Sequence, residues 1–186
     1  IYGLIGRNGS GKTMLLRCIC GLVPTYEGQI WIEGLLATST GRTNTDMGVI
    51  IETPGFLPSY NAYKNLKFLA DIQGKISKQE IYDAISRVGL DPKSKKHVGK
   101  YSLGMRQRLG LAQAIMEDPD ILILDEPMNG LDKDGVADMR NYLLDLKASG
   151  KTILIASHSA EDIDVLCDTV HEMDKGVLTT IRSGKE

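Results

Sequence analysis

Gly6-Arg7-Asn8-Gly9-Ser10-Gly11-Lys12-Thr13 follows the short apolar run Ile1-Tyr2-Gly3-Leu4-Ile5 and precedes a segment with helical spacing, residues 12–19. The octet fits G-x-x-x-x-G-K-[ST], and strand, loop and helix stand in the order that gives the pattern its meaning. Its three glycines let the backbone turn N–H groups inward at positive φ, where a side chain would collide with a phosphate. The start of the helix adds unpaired donors and a partial positive charge. In this setting the loop from Arg7 through Asn8, Gly9, Ser10 and Gly11 cradles phosphates, Lys12 reaches the β- and γ-phosphates, and the Thr13 hydroxyl binds Mg²⁺. A glycine-rich turn that binds nothing needs no Lys-Thr pair after its last glycine.

Composition narrows the class without naming a function. With 186 residues the chain is long enough for one domain with a sizeable core, or one core with an inserted lobe. A hydrophobic content of 42% and a charged content of 25% are those of a soluble globular protein rather than a disordered or fibrous one. No apolar stretch has the length to span a bilayer, and no signal peptide opens the chain. The start at Ile1, in mid-strand and without an initiator Met, implies a fragment whose upstream strands are missing. Cys18, Cys20 and Cys167 form neither an even disulfide set nor a paired C-x-x-C pattern, so they are expected to be reduced, buried packing residues of a cytosolic protein. The net charge of −2 is unevenly spread: residues 60–110 carry eleven Lys or Arg against four acids, the remainder eleven against twenty. Such asymmetry fits two readings, a solvated helical face or a middle segment that meets a different partner from the rest.

Periodicity supplies the organisation. After the loop helix, residues 29–33 alternate as a strand closed by Gly34, the polar stretch 38–46 reads as loop, and 47–52 reads as a buried strand ended by Thr53-Pro54-Gly55. The period then changes, and 61–72, 78–88 and 104–116 carry apolar residues at helical spacing until Pro119 stops the block. Residues 121–126 form the most apolar strand of the chain, without alternation, as a parallel strand buried on both faces requires. A helix over 133–148, a strand over 152–156, a helix over 160–166 and a hairpin around Gly176 complete the order. The fold expected is α/β, a P-loop NTPase with a largely parallel sheet, organised as core 1–59, helical insert 60–118 and core 119–186.

Asp125 and Glu126 follow four apolar residues and so sit at the carboxyl end of a central strand, the edge where open α/β sheets bind ligands. Asp125 is placed to hold the Mg²⁺ shared with Thr13, and Glu126 to accept a proton from an attacking water. Paired with the loop, this acidic pair reads as chemistry rather than an ordinary strand end.

Just before this strand, Tyr101-Ser102-Leu103-Gly104-Met105-Arg106-Gln107-Arg108 resembles the LSGGQ-type signature of ATP-binding cassette (ABC) ATPases. Asn129-Gly130-Leu131-Asp132 is similar to that family's D-loop and Ser157-His158 to its switch histidine, and the resemblance covers essentially the whole chain. Tyr101, Leu103 and Met105 depart from the consensus, whereas Ser102 and Gly104 keep it. The resemblance implies an ATPase using ATP and Mg²⁺ as a dimer. Ser102 and Gly104 of one subunit then close on nucleotide held by another, Asp132 lies at the dimer contact, and His158 meets the γ-phosphate and orients water against Glu126. Ser102 also suits the cap of the following helix. His97 and His171 match no motif, and Arg17 is expected to be a surface or packing residue.

Where most of that family carries the Gln of its Q-loop, this chain has Glu52. With the Ser-Leu-Gly-Met signature, this resembles the ATP-binding subunits of bacitracin-resistance and lantibiotic-immunity exporters. A carboxylate binds Mg²⁺ as an anion where an amide offers a neutral oxygen, so Glu52 joins Thr13 and Asp125 as an expected metal residue. The implied protein is a cytoplasmic subunit on the inner face of the membrane, coupled to transmembrane permease subunits and a second ATP-binding subunit, with no nucleic acid expected. The rival is a soluble ABC protein acting on ribosomes or nucleic acid. Only 90 positions separate Lys12 from Ser102, too few for a chromosome-maintenance coiled coil. A GTPase or kinase would leave the signature and D-loop unexplained.

Overall fold

Strand β5 (Ile121–Asp125) is apolar without alternation, and in the computed structural model, which describes residues 1–37, 46–52 and 54–184, both of its faces are covered. Leu122, Ile123 and Leu124 are each at most 1% exposed. Parallel neighbours lie on either side, β4 (Met47–Ile50) and β6 (Thr152–Ala156). The sheet continues through β1 (Tyr2–Ile5) and β7 (Thr169–Asp174), again parallel, to the antiparallel edge strand β8 (Val177–Arg182), giving the order β4-β5-β6-β1-β7-β8.

Alternate residues of these strands feed two cores. Ile123, Leu4, Ala156 and Met173 pack with Leu16 of helix α1 (Lys12–Ile19). Leu122, Leu124, Ile153 and Ile155 point the other way, into the larger core shared with helices α5 (Lys133–Ala148) and α6 (Ala160–Leu166) and with the helical insert. The parallel sheet is thus covered on both faces, as such sheets require.

The insert begins at α2 (Ala62–Gln73), whose N-cap Asn61 accepts from the Lys64 N–H at 3.0 Å. Helix α3 (Lys78–Arg87) opens on a capping box of Ser77 and Glu80. Helix α4 (Leu103–Ile115) lies directly on β4: a Cβ added at Gly48 would stand 2.0 Å from the Ala114 carbonyl oxygen. Glycine at 48 is therefore a condition of the helix's approach to the sheet.

Three expectations need correction. The segment 29–33 is not a lone strand: β2 (Ile30–Ile32) returns as β3 (Leu35–Ala37), with Ile32 opposite Leu35. Glu33 and Gly34 form the two-residue turn at φ 51° and 74°, the positive pair that a type I′ hairpin demands. The strand expected over 47–52 ends at Ile50, because Glu52 stands at φ 59° and cannot extend it. Cys18 and Cys20 are half-buried, and only Cys167 is buried; all three are free thiols. Most of the expected loop 38–46, and Thr53, lie outside the described residues. The expected hairpin around Gly176 is present, with Lys175 and Gly176 at φ 48° and 82° between β7 and β8.

Candidate active site

Strands β1, β5 and β6 are parallel and end at the same edge of the sheet, so the segments that leave them converge. A cavity of about 710 Å³ opens there, within the size range of small-molecule sites. Asn8, Gly9, Gly11, Lys12 and Thr13 line it from the loop, and Glu52, Asp125 and Glu126 face them. Thr13 Oγ1 donates to Asp125 Oδ2 at 2.8 Å, joining two residues 112 positions apart. Lys12 is 7% exposed, and its Nζ donates to the carbonyls of Gly6 at 2.7 Å and Arg7 at 3.2 Å. The ammonium is thereby folded back on its own loop, with one of three donors left.

The loop is held from behind by the far end of the chain. A Cβ at Gly6 would lie 2.3 Å from the Met173 carbonyl oxygen, so no other residue fits without displacing β7. The Gly176 N–H, at the β7–β8 turn, donates to the Ser10 carbonyl at 3.0 Å. Ser10 Oγ is buried and has no partner among the described residues.

Glu126 is the most constrained of the acids. Its φ of 50° lies in the left-handed region, which costs a non-glycine residue about 1–2 kcal/mol and recurs at functional sites. Three hydrogen bonds to its backbone hold it there: its N–H donates to the Ala156 carbonyl at 2.8 Å, and its own carbonyl accepts from the Asn129 N–H at 3.1 Å and from the side-chain Gln107 Nε2 at 3.2 Å. The side chain is then aimed at His158, with Nδ1 2.8 Å from Oε2. The cap of α6 is Ser159, whose side chain accepts from the Asp162 N–H, which leaves His158 free of a capping role.

Glu52 is turned toward α1, where its Oε1 lies 2.7 Å from Arg17 Nη2. Arg17, expected to be a surface or packing residue, is instead the ionic partner of a cavity carboxylate. Two features of the sequence contain no signal for this pairing: the residues are 35 apart, and neither belongs to a charge pattern on one element.

Ser102, Gly104 and Asp132 do not line the cavity. Ser102 caps α4, its Oγ accepting from the Met105 N–H at 3.1 Å, and Asp132 caps α5, its Oδ1 accepting from the Gly135 N–H at 2.9 Å. Arg7 and His158 share a second cavity of about 430 Å³ behind the loop. Leu103, Gln107 and Asn129 line the main cavity without having been singled out. Only their places inside the signature and D-loop segments pointed to them.

The donor set suits a hard cation. Thr13 Oγ1 and the Asp125 carboxylate are oxygen ligands side by side, and Mg²⁺ takes one or two such ligands plus substrate phosphates and water. Among the described residues no cluster of three or more His, Cys, Asp or Glu forms a metal cage.

A family model described as "ABC transporter" matches residues 1–129. The chain belongs to the ABC transporter family. It is 51% identical over 180 residues to the uncharacterized ABC transporter ATP-binding protein YybJ of Bacillus subtilis, covering 97% of this chain and 83% of that one. It is 42% identical to the bacitracin transport ATP-binding protein BcrA of Enterococcus faecalis, covering 96% of this chain but only 58% of the relative's length. Among solved structures, the post-hydrolysis dimer of the ATP-binding cassette MJ0796 bound to ADP and Pi superposes with a TM-score of 0.84 at 19% identity, over 98% of this chain and 86% of that one. That likeness establishes the ABC cassette fold. Among the described residues, no helix of this family member is long and apolar enough to cross a membrane.

Proposed function

We propose that this chain is the ATP-binding, ATP-hydrolysing part of an ABC exporter of antimicrobial peptides or other lipophilic compounds. The observation that carries the reading is the meeting of Thr13, Asp125, Glu126 and the loop around one cavity, with His158 on Glu126. The similarity to transport ATP-binding proteins favours it over a soluble protein acting on ribosomes or nucleic acid.

The loop amides and the α1 N-terminus bind the nucleotide's phosphates, and Lys12 exchanges the carbonyls of Gly6 and Arg7 for phosphate oxygens. Thr13 and Asp125 would hold Mg²⁺, with Glu52 as a further carboxylate toward it. The cation, when bound, neutralises charge on the phosphates. Glu126 takes the proton of the attacking water as the new oxygen–phosphorus bond forms and the bond to the leaving ADP breaks. His158 keeps the Glu126 carboxylate in place from the exposed side. Ser102, Gly104 and Asp132, free of their own subunit's cavity, are available to a second ATP-binding subunit, whether a copy of this chain or a different one. Transmembrane permease subunits supply the path, and the basic insert meets them or the anionic inner leaflet, placing the protein on the cytoplasmic face of the membrane.

The test is purification of the full-length protein from membranes with its partners. The reading expects Mg²⁺-dependent ATP hydrolysis and a co-purifying membrane protein. Hydrolysis without any membrane partner, or binding to ribosomes instead, would transfer the chain to the soluble class.

A further inference from the structure

Gln107 is 6% exposed, and its side-chain amide donates to the Glu126 carbonyl at 3.2 Å. A buried amide needs a partner, but many would serve. This one takes the backbone oxygen of the residue at φ 50°, whose side chain faces the cavity. Helix α4 makes a second contact with the same segment one turn earlier. A Cβ at Gly104 would stand 2.6 Å from the Gly130 carbonyl oxygen, and a Cβ at Gly130 would stand 2.5 Å from Leu103 Cγ. The first turns of α4 therefore grip the segment after β5 at both ends, Glu126 and Gly130.

We propose that Gln107 is a positioning residue for Glu126, setting the aim of its carboxylate from helix α4. This rests on the reading of Glu126 as the base in ATP hydrolysis. The left-handed backbone at Glu126 is locally unfavourable, so it persists only while its surroundings over-determine it. The bond to the Ala156 carbonyl and the bond from the Asn129 N–H belong to the strand end and the turn itself. Gln107 is the only side chain among the described residues that bonds the Glu126 backbone, and it comes from the helix that begins at Ser102. A displacement of α4 thus reaches the carboxylate through one amide and one glycine-to-glycine contact.

The experiment uses full-length protein carrying Gln107→Met, which keeps length and volume but removes the donor, with Gln107→Leu as a second variant. A misplacement of about 1 Å at a reacting group can lower a rate about 10²-fold, so a fall in kcat of about tenfold or more is expected. KM for ATP should stay within about twofold and thermal unfolding should be little changed, because the side-chain bond of Gln107 goes to the Glu126 carbonyl and not to the phosphate loop. Single-turnover hydrolysis in a Glu126→Gln background gives the sharper readout. If Gln107 acts through the Glu126 carboxylate, adding Gln107→Met there changes the residual rate less than about twofold. The same fractional loss in both backgrounds, or parent-like kcat in both Gln107 variants, overturns the positioning role. Parent protein that binds but does not hydrolyse ATP overturns the Glu126 reading itself, a separate result.

Discussion

Arg17 and Glu52 face each other, Nη2 to Oε1 at 2.7 Å, one from the last turn of the loop helix and the other, a lining residue of the cavity, from just beyond β4. The pair is largely in water, with side chains 35% and 61% exposed, so its contribution to stability is about 0–1 kcal/mol. Its effect on the site is larger, because a guanidinium at this distance competes with any cation for the same carboxylate. Arg17→Ala should therefore lower the Mg²⁺ concentration that half-saturates hydrolysis while leaving thermal unfolding within a few degrees. Glu52→Gln should raise that concentration, and Glu52→Ala should reduce transport more than ATP binding, since Lys12 and the loop amides still hold the phosphates. Mg²⁺ titrations and transport by the reconstituted complex measure this. Identical curves for all variants would make Glu52 a polar strand end and nothing more.

Glu126→Gln preserves shape and removes the base. Hydrolysis should drop about 10² to 10⁴-fold with ATP affinity retained, and nucleotide-bound dimer should accumulate. Turnover near the parent's, measured by phosphate release, would contradict the assignment of Glu126.

Gly48→Ala tests the contact between α4 and β4. The new methyl would meet the Ala114 carbonyl oxygen at 2.0 Å and Leu122 Cδ2 at 2.6 Å, so helix and strand must part. Overpacking of this kind costs about 1–3 kcal/mol. Gly55→Ala, with nothing within 4 Å of its added Cβ, is the control. Thermal melts should separate the two; equal midpoints would mean that the α4–β4 contact is looser than described.

Burial pushes the thiols of Cys20 and Cys167 up to about 11. The thiolate is the reactive form, so in native protein alkylation at both sites should be slow at pH 8 and climb about tenfold per pH unit toward pH 10, with no plateau. Denatured protein should level off near pH 9. Peptide mass spectrometry after timed iodoacetamide treatment resolves the sites, and a native plateau below pH 9 would refute the burial effect.

Much of the scaffold was legible because its signals are local. Residues 12–19, 133–148, 152–156 and 160–166 form elements at the expected bounds, each bounded by a cap or turn residue close to an apolar pattern. The convergence of Thr13 with Asp125 was also readable, since Thr13 opens the helix that follows β1, Asp125 ends β5, and parallel strands share an edge. Strand β3 escaped notice because Leu35-Leu36-Ala37 does not alternate, and its pairing is fixed by the φ values of Glu33 and Gly34. The Arg17–Glu52 pair and the bond from Gln107 to Glu126 depend on how helices seat on the sheet. No spacing in the chain encodes them.

The support of the phosphate loop by β7 and its turn has a further consequence during synthesis. Strand β1 pairs with β6 and β7, and the Ser10 carbonyl waits for the Gly176 N–H. At about 5–20 residues per second, the ribosome delivers that turn roughly ten to thirty seconds after the loop. The nascent chain thus carries its nucleotide motif without this support until the β7–β8 turn has been made. Nucleotide cannot serve as an early folding template, and a ribosome stalled before β7 should hold a chain that ATP does not protect from protease.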